Sequence, residues 1–466
     1  MLDLTLNVGE MCEILEAPLV GGSKALLRRK VKLCLDSREA GPGTIFWPLV
    51  GLRFDAHEFI SQVMEKGALM SVMNEAMVTK IPVQVHVPVQ DTGAALLKLA
   101  RGYQRRFKVK KIAITGSNGK TTTKDMMLAV LSGKFDTMAT EGNHNNQIGV
   151  PMTLFRLKHS HEACIVEMGT NSIGEIRPLS LACEPNIAVI TNVGHSHLEG
   201  LGSVENIYKE KASIAQGLQP GGTLVVNADD PFLCKLRSTT RYNVVTFGVK
   251  RGQFKPQDLS WNEDACARFR IGRTQFQLTV PGVHNLYNAL ATIAVATTMN
   301  VPKSAMAKGL NEFRASRMRM EIHRCKGFQV VADCYNANPS SMKMALETVG
   351  SVESAGRRIA VLGDMLELGE QAASLHEEIG KRVPQMDFQW LCTFGPLAEN
   401  IRKGAIVSGM PQERALHFST RAEIVDFLNE ELQQGDIVLV KGSRGMKLEE
   451  VVEGLRKLEP VARGAW

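Results

Sequence analysis

The residues best suited to chemistry form a short glycine-bearing loop that ends in lysine and threonine. The loop follows the β-branched run at residues 112–115 and consists of Gly116, Ser117, Asn118, Gly119, Lys120, Thr121 and Thr122. Its glycines would let backbone amides turn towards a phosphate, and a helix starting there would add the positive end of its dipole. Lys120 would neutralise the outer phosphate oxygens, and Thr121 would offer its hydroxyl to Mg²⁺. Only the short form G-x-x-G-K-T is present, so an ordinary strand-to-helix turn is the alternative to a nucleotide-phosphate site.

Candidate metal ligands follow two other apolar runs. Glu167 comes directly after residues 163–166, and His195 and His197 come after residues 187–190. The carboxyl ends of parallel strands meet at one edge of a sheet, and phosphoryl transfer needs carboxylate and imidazole ligands for its metal there. Either histidine could face the loop. The alternatives are a surface glutamate at a strand end and structural loop histidines.

The chain length and the pattern of apolar runs predict an α/β protein of three domains, whose strands and helices would position these residues. The chain has 466 residues, and a domain usually takes about 150. We expect a small α/β amino-terminal domain at residues 1–108 and a central domain, a P-loop-type doubly wound sheet, at residues 109–312. A carboxy-terminal Rossmann-like domain is expected at residues 313–466.

Short, continuous apolar runs give the strand predictions, because such runs are typical of parallel sheets buried on both faces. In the central domain they are residues 111–115, 163–166, 187–190 and 223–226, and in the third domain residues 329–332, 358–362 and 436–440. Helices are predicted at residues 92–107 and 285–299. Between these elements we expect strands and helices to alternate.

Composition excludes several classes of protein. Hydrophobic residues make up 44% and charged residues 22%, which are ordinary values for a globular protein. No apolar run approaches the ~18 residues of a membrane span, and the first residues lack the basic and apolar regions of a secretory signal. Nine scattered cysteines without a CxxC pair favour buried thiols over disulfides or a zinc site. We therefore expect a cytoplasmic protein without membrane insertion.

The densest basic segment lies at residues 101–111, where six of eleven residues are lysine or arginine. Nucleic acid could use such a patch. With a net charge of only +7, a solvated helix end leading into a strand is the favoured interpretation. No nucleic-acid partner is expected.

Together these motifs resemble the Mur ligase family, the ATP-dependent amide ligases of peptidoglycan precursor synthesis. The resemblance covers essentially the whole chain, and the order of the motifs is kept. It implies that residues 115–121 bind ATP and that Thr121, Glu167 and His197 hold metal. Lys211, in Lys-Glu-Lys-Ala-Ser-Ile, is similar to the lysine that is carbamylated in the family, which implies an extra carboxylate for a second Mg²⁺.

Further segments of the resemblance imply the remaining nucleotide contacts. The segment starting at His284 is similar to the family's H-N-x-x-N-A-L-A, in which Asn285 and Asn288 would approach the adenine. An asparagine-capped helix start is equally compatible with that segment. Arg319 would reach the ATP phosphates across a domain cleft, and Asp333 would lie near the ribose. The implied catalytic residues are Lys120, carbamylated Lys211, His197 and Arg319.

The amine substrate is implied by a segment of the third domain. Residues 333–339 resemble the D-x-Y-N-A-N-P signature of the branch that adds D-alanyl-D-alanine, and the D-N-P-R motif of the diaminopimelate-adding branch is absent. Residues 361–369 and 440–446 are similar to two more segments of that branch. The substrate-binding residues implied by the resemblance are Ser37, Arg38, Asp55, His57, Asn145, Asn146, Tyr335, Asn336 and Asn338.

The resemblance therefore implies a monomeric, cytoplasmic ligase that uses ATP and two Mg²⁺ ions. It would join D-alanyl-D-alanine to UDP-N-acetylmuramoyl-tripeptide through an acyl phosphate, giving the pentapeptide precursor, ADP and phosphate. Cell-wall synthesis, cell shape and cell division would depend on that product. The alternatives are another Mur-type or folylpolyglutamate-type ligase with a different amine, and a nucleotide switch without enzymatic activity.

Overall fold

Four β-sheets organise the part of the chain that the computed structural model describes, which is residues 1–51, 54–236 and 242–458. Three of the sheets are wholly or mainly parallel and are covered by helices, and the fourth is a small antiparallel sheet. This confirms the predicted α/β class. No helix in these ranges is long and apolar enough to cross a lipid bilayer.

The amino-terminal sheet has five strands in the order β1-β2-β3-β4-β5, with β1 antiparallel to β2 and the other pairs parallel. The strands are β1 (Leu2–Asn7), β2 (Lys30–Cys34), β3 (Ile45–Phe46), β4 (Met70–Asn74) and β5 (His86–Val89). The helices are α1 (Val8–Leu15), α2 (Ile60–Glu65), α3 (Glu75–Val78) and α4 (Thr92–Gln104). A reciprocal cap between Asn7 and Glu10 starts α1, and Asp91 caps α4 by accepting the N–H of Ala94.

The central sheet is entirely parallel, with the order β11-β10-β9-β6-β8-β7. Its strands are β6 (Lys110–Thr115), β7 (Thr137–Ala139), β8 (Ala163–Glu167), β9 (Ile187–Ile190), β10 (Thr223–Asn227) and β11 (Asn243–Phe247). Its helices are α5 (Lys120–Leu131), α6 (Gly149–Leu154), α7 (Ile176–Cys183), α8 (Leu198–Leu201), α9 (Val204–Ala212), α10 (Val283–Thr298) and α11 (Lys303–Glu312). The four predicted strands are confirmed to within one residue at each end.

Alternate residues of β6 explain why its run is continuously apolar. Ile112 and Ile114 pack into the core formed with α5 and α10, whereas Ala113 faces the core shared with the amino-terminal domain. Burial on both faces removes the polar alternation of a half-exposed strand. The strand order changes direction at β6, which lies between β9 and β8, so a crevice opens at its carboxyl end.

The expectation that strands and helices alternate through residues 109–312 was wrong for one segment. A three-stranded antiparallel sheet lies there, formed by β12 (Gln257–Trp261), β13 (Cys266–Ile271) and β14 (Thr274–Pro281). Its strands are buried on one face only, and all of β12 is exposed, so they lack the continuous apolar runs used for prediction.

The carboxy-terminal sheet has the order β15-β16-β20-β17-β18-β19, and only β15 is antiparallel. Its strands are β15 (Glu321–Arg324), β16 (Gln329–Ala332), β17 (Arg358–Gly363), β18 (Trp390–Phe394), β19 (Ala415–Phe418) and β20 (Ile437–Lys441). Its helices are α12 (Pro339–Gly350), α13 (Ala372–Arg382), α14 (Glu399–Val407), α15 (Arg421–Glu431) and α16 (Glu449–Leu455). The predicted strand at residues 329–332 is confirmed, and the other two differ by one residue.

Three of the six basic residues at residues 101–111 pair with carboxylates of the protein itself. Arg101 and Arg105 pair with Glu184 at the end of α7, and Arg106 pairs with Glu10 of α1. Lys111 is buried and donates to the side chain of Gln104. These contacts support the helix-end interpretation over a nucleic-acid surface, and they fasten α4 to the central domain.

Candidate active site

The glycine-bearing loop connects β6 to α5, and two of its glycines are required by geometry. Gly119 has a φ of +80°, and a Cβ placed on it would lie 2.3 Å from Asn288 Oδ1. A Cβ on Gly116 would lie 1.8 Å from Thr191 Oγ1. Any larger residue would therefore displace the loop from β9 or from α10.

Residues at the end of β9 hold the loop in place. Asn192 Oδ1 accepts the N–H of Asn118 at 2.9 Å, and the Thr191 hydroxyl donates to the Asn118 carbonyl at 2.6 Å. Ser117 exchanges hydrogen bonds with the backbone of Gly194 at 3.0 and 2.9 Å. The loop is thus a preformed concavity at the amino-terminal end of a helix, the arrangement that binds phosphate.

Lys120 supplies a cation at this concavity. Its Nζ donates to the carbonyl of Gly116 at 2.8 Å, so the side chain folds back over the loop. Burial lowers the pKa of Lys120, while Glu167 opposes that shift and Arg319 adds to it. The lysine can exchange its carbonyl partner for a phosphate oxygen without leaving the loop.

Glu167 and Thr121 provide oxygen ligands beside the loop. The Thr121 hydroxyl donates to Glu167 Oε1 at 3.2 Å, and Asn145 Nδ2 donates to the same oxygen at 2.8 Å. Glu167 is 1% exposed, and its Oε2 has no hydrogen-bond partner among the described residues. A buried, unpaired carboxylate oxygen is costly unless a cation binds it.

These donors fit Mg²⁺, although the protein provides only part of a coordination shell. Within the described ranges, no three His, Cys, Asp or Glu side chains come together to hold a metal. Mg²⁺ commonly takes one or two carboxylates and completes its octahedron with water and substrate phosphate. Glu167 with Thr121, next to a phosphate loop, matches that pattern.

Of the two candidate histidines, His197 lines the central cavity and His195 does not. The Nδ1 of His197 lies 2.5 Å from Glu367 Oε2 of the carboxy-terminal domain. This hydrogen bond lowers the pKa of Glu367. Because the carboxylate occupies Nδ1, it leaves Nε2 as the ring nitrogen that can bind a metal.

Lys211 lies in α9 and is buried, with 1% of its surface exposed. Burial and the neighbouring charge of Lys120 hold its pKa well below the usual range. The adjacent Glu210 does not pair with Lys211, because its carboxylate accepts the N–H groups of Gly174 and Ile176 at 2.7 Å each. The fold therefore favours an uncharged amine at Lys211.

The predicted adenine and ribose contacts already have protein partners. Asn288 Oδ1 accepts from Thr123 in α5 at 3.1 Å, and Asn288 Nδ2 donates to Asn285. Asp333 Oδ2 accepts from the buried Lys441 at 2.7 Å. Asn285 Nδ2 donates to the Pro281 carbonyl at 2.8 Å, so both amides are engaged within the protein. Asn285, Asn288 and Asp333 all line the cavity, and their contacts with adenine and ribose stay predictions.

Two side chains of the carboxy-terminal domain contact the phosphate loop. Arg319 Nη2 donates to the Thr121 hydroxyl at 3.1 Å, and Asn338 Nδ2 donates to Asn118 Oδ1 at 2.8 Å. The cavity between the domains has a volume of about 1540 Å³. The cavity is lined by every candidate residue from Ser117 to Thr122 and by Glu167, His197, Asn145, Asn146, Arg319, Tyr335, Asn336 and Asn338.

The amino-terminal candidates lie outside this cavity. Arg38 pairs with Asp36 at 2.6 Å, and the Ser37 carbonyl accepts from Lys66. His57 is fully buried; its Nδ1 lies 2.5 Å from Asp55, and its Nε2 accepts the N–H of Asn74. His57 therefore positions a turn of the amino-terminal sheet, and a direct substrate contact by this ring stays a prediction.

Two stretches of the chain match Mur ligase families. Residues 114–296 match the Mur ligase middle domain, and residues 318–444 match the Mur ligase glutamate ligase domain. A relative from Bacillus subtilis named UDP-N-acetylmuramoyl-tripeptide–D-alanyl-D-alanine ligase is 36% identical over 90% of this chain and 92% of its own. A relative of the same name from Escherichia coli is 31% identical over 98% and 99%. The chain belongs to the Mur ligase family.

Solved structures agree with this Mur ligase assignment. A crystal structure of MurF from Acinetobacter baumannii has a TM-score of 0.88 and 28% identity, covering 97% of this chain and 99% of that one. The MurF ligase from Thermotoga maritima in complex with ADP has a TM-score of 0.81 and 28% identity, covering 92% and 97%. The three-domain Mur ligase fold is therefore confirmed.

Sequence reasoning missed several residues of this Mur ligase cavity. Thr191 and Asn192 hold the loop, Lys441 pairs with Asp333, and Glu367 holds His197. From the amino-terminal domain, the lining residues are Leu49, Val50, Gly51, Asp91 and Gly93. The Thr-Asn pair after β9 was an available signal, since polar residues at the end of a buried parallel strand face the crevice. Glu367 and Lys441 lie in the segments 361–369 and 440–446, which resemblance matched without giving either residue a role.

Proposed function

We propose that this Mur ligase joins D-alanyl-D-alanine to UDP-N-acetylmuramoyl-tripeptide and that this ligation is coupled to cleavage of ATP to ADP and phosphate. The observation that carries the proposal is one cavity lined by the phosphate loop, by Glu167 and by the Tyr335–Asn338 segment of another domain. Relatives that match 90% and 98% of the chain bear the name of this activity. An ADP complex of a similar structure supports ATP as the nucleotide.

The reaction divides amide formation into two steps. A terminal carboxylate oxygen of the tripeptide attacks the γ-phosphorus, and the bond to the β,γ-bridging oxygen breaks to release ADP. The deprotonated amine of D-alanyl-D-alanine then attacks the acyl carbon, and the tetrahedral intermediate expels phosphate. The protein contributes mainly position and electrostatics to such a transfer.

The cationic side chains at the loop have separate parts in this scheme. Lys120 lies on the loop itself and would neutralise the phosphate oxygens there. Arg319 reaches the same loop from the carboxy-terminal domain and would add a second positive charge at the phosphates. The mutual repulsion of a carboxylate and a polyphosphate is thereby reduced before the new bond forms.

We propose that two Mg²⁺ ions would be held by Thr121, Glu167, His197 and Lys211. Bound Mg²⁺ would supply positive charge between the carboxylate and the γ-phosphate. Thr121 and Glu167 offer oxygen donors already in contact, and Glu367 directs Nε2 of His197 away from itself. A neutral amine at Lys211 can add to CO₂ and lose a proton, which yields a carbamate anion.

The remaining candidate residues are proposed as substrate contacts. Asn336 is exposed in the cavity lining, and Asn145 and Asn146 border the same space. We propose a uridine site in the amino-terminal domain, shaped by Ser37, Arg38, Asp55 and His57. The proposed domain boundaries are residues 1–108, 109–312 and 313–466. We further propose a monomer that acts in the cytoplasm and serves cell shape and division through peptidoglycan synthesis.

Phosphate release with defined substrates tests this function. With ATP, Mg²⁺ and the tripeptide nucleotide, we expect release that depends on D-alanyl-D-alanine and not on glutamate or diaminopimelate. Both the lysine and the diaminopimelate tripeptide should be supplied. Dependence on glutamate with a folate substrate would instead support the folylpolyglutamate-type alternative, and Lys120→Ala should show no release in any mixture.

A further inference from the structure

Arg319 lies on a loop whose backbone is unusual on both sides of it. Met318 has a φ of +60° and Met320 a φ of +53°, which places both residues in the left-handed region. Residues with side chains rarely adopt that region unless surrounding contacts hold them there. The loop that presents Arg319 therefore depends on contacts from outside itself.

Glu321 accepts the N–H of Met318 at 2.9 Å, and residues 333–335 contact both flanking residues of Arg319. The Tyr335 N–H donates to the Met318 carbonyl at 3.2 Å, and the Met320 N–H donates to Asp333 Oδ1 at 3.2 Å. Lys441 fixes the other carboxylate oxygen of Asp333 at 2.7 Å. Residues 333–335 therefore bind the loop on both sides of Arg319, at Met318 and at Met320.

The side chain of Tyr335 completes this support. The Arg319 guanidinium carbon lies 4.0 Å from the centroid of the Tyr335 ring, and its Nη2 donates to Thr121 of the phosphate loop. A guanidinium that stacks on an aromatic face keeps the N–H groups of its edge free for anions. The ring therefore fixes the plane of the guanidinium and leaves its donors directed at the loop.

We propose that Tyr335 is a positioning residue for Arg319, acting through its ring face rather than through a hydroxyl contact with substrate. This inference rests on the proposed function for the role of Arg319 at the ATP phosphates. The Tyr335 hydroxyl has no hydrogen-bond partner among the described residues, so ring and hydroxyl can be tested separately.

Binding of a non-hydrolysable ATP analogue, measured by calorimetry in the presence of Mg²⁺, separates the two roles. Tyr335→Leu removes the ring and should weaken binding about three- to thirtyfold, the range expected for a cation–aromatic contact. Tyr335→Phe keeps the ring and should lose far less. Phe394→Leu is the matched control, because Phe394 stacks with Arg421 outside the cavity at 5.3 Å.

A double-mutant cycle then shows whether Tyr335 acts through Arg319. In an Arg319→Ala background, Tyr335→Leu should weaken analogue binding no further. If it weakens binding equally in both backgrounds, or if Tyr335→Phe matches Tyr335→Leu, the proposal is overturned. Should Tyr335→Leu fold poorly by circular dichroism, Tyr335→Met takes its place in the cycle.

This outcome can be distinguished from failure of the proposed function. Analogue binding requires neither the tripeptide nor the dipeptide, so the cycle can be read even if the wild type adds a different amine. If the wild type ligates D-alanyl-D-alanine but the cycle is additive, only the role given to Tyr335 fails.

Discussion

Lys211 is a buried amine that has no salt bridge within the described part of the chain. Among the described residues no carboxylate pairs with it, because its neighbour Glu210 is engaged by two backbone N–H groups. A buried ammonium without a partner is costly, so the neutral amine is favoured. That environment suits carbamate formation, since CO₂ reacts only with the unprotonated amine.

Replacement of Lys211 by alanine tests the carbamate. We expect Lys211→Ala to lower turnover by about 10- to 100-fold or more, as loss of a metal-supporting group does. Added short carboxylates such as acetate should restore part of the turnover by filling the space. Lys209→Ala is the control, since Lys209 is on the same helix but its side chain is 67% exposed. Full activity of Lys211→Ala without added carboxylate would disprove the carbamate.

At the scale of elements, the loop between β6 and α5 depends on contact with a third element, α10. Gly119 sits so close to Asn288 of α10 that a Cβ has no room. Asn288 in turn accepts a hydrogen bond from Thr123 in α5. The register of three elements therefore fixes the loop, and one added carbon should disturb all of them.

Gly119→Ala should abolish nucleotide binding and lower the free energy of unfolding by about 2 kcal/mol or more, because left-handed strain and a steric clash add. Gly221→Ala is a matched control, since Gly221 has a φ of +74° but nothing lies within 4 Å of its Cβ position. Gly221→Ala should lower the free energy of unfolding by about 1 kcal/mol, from backbone strain alone, and should bind nucleotide normally. Equal nucleotide affinity of the two variants, measured by calorimetry, would contradict this account of the loop.

The elements that sequence predicted well are those with a strong local signal. Strands β6, β8, β9 and β10 are buried on both faces, so each is a continuous apolar run. Strands β12 to β14 escaped prediction because one face is solvated and β12 has no buried residue. A continuous apolar run predicts a strand that is buried on both faces, and a half-exposed strand lacks such a run.

The candidate site was predictable only where its residues are adjacent in sequence. The loop at residues 116–122 has a local motif, and Glu167 follows a predicted strand. The pairing of His197 with Glu367 spans 170 positions and joins two domains, so no local pattern encodes it. The roles of Lys211 and Arg319 follow from family resemblance, and Lys211 alone would pass for a surface lysine of a helix.

At the scale of the whole molecule, one carboxylate fastens the amino-terminal domain to the central one. Glu184 at the end of α7 accepts hydrogen bonds from Arg101 and Gln104 of α4 and from Arg105, which follows that helix. Burial alone would raise the pKa of Glu184, but the hydrogen bonds from Arg105 and Arg101 outweigh it and hold the pKa at about 2. The two domains are thereby joined by a charge cluster at the start of the central sheet.

Glu184→Gln should destabilise the protein in a pH-dependent way. Because the folded pKa of about 2 is below the ordinary 4.5, the carboxylate stabilises the fold above pH 4.5. That contribution is lost as the pH falls from 4.5 towards 2. At neutral pH, urea unfolding should show a deficit of about 1–2 kcal/mol, after allowance for the partly exposed arginines.

The exposed pair of Glu16 with Lys98 provides the control for this prediction. Glu16→Gln should leave the urea midpoint unchanged, because the Glu16 side chain is 81% exposed. If the difference between wild type and Glu184→Gln stays constant down to pH 2, Glu184 does not act through its charge.

An acyl phosphate intermediate would transfer one oxygen atom from the substrate carboxylate to the released phosphate, and isotope labelling detects that transfer. The terminal carboxylate of the UDP-N-acetylmuramoyl-tripeptide is labelled with heavy oxygen, and the phosphate released with D-alanyl-D-alanine is analysed by mass spectrometry. An acyl phosphate predicts that each released phosphate carries one labelled oxygen, since the acyl carbon gives up that oxygen when the amine attacks. Unlabelled phosphate, or release of pyrophosphate with AMP, would contradict the proposed reaction.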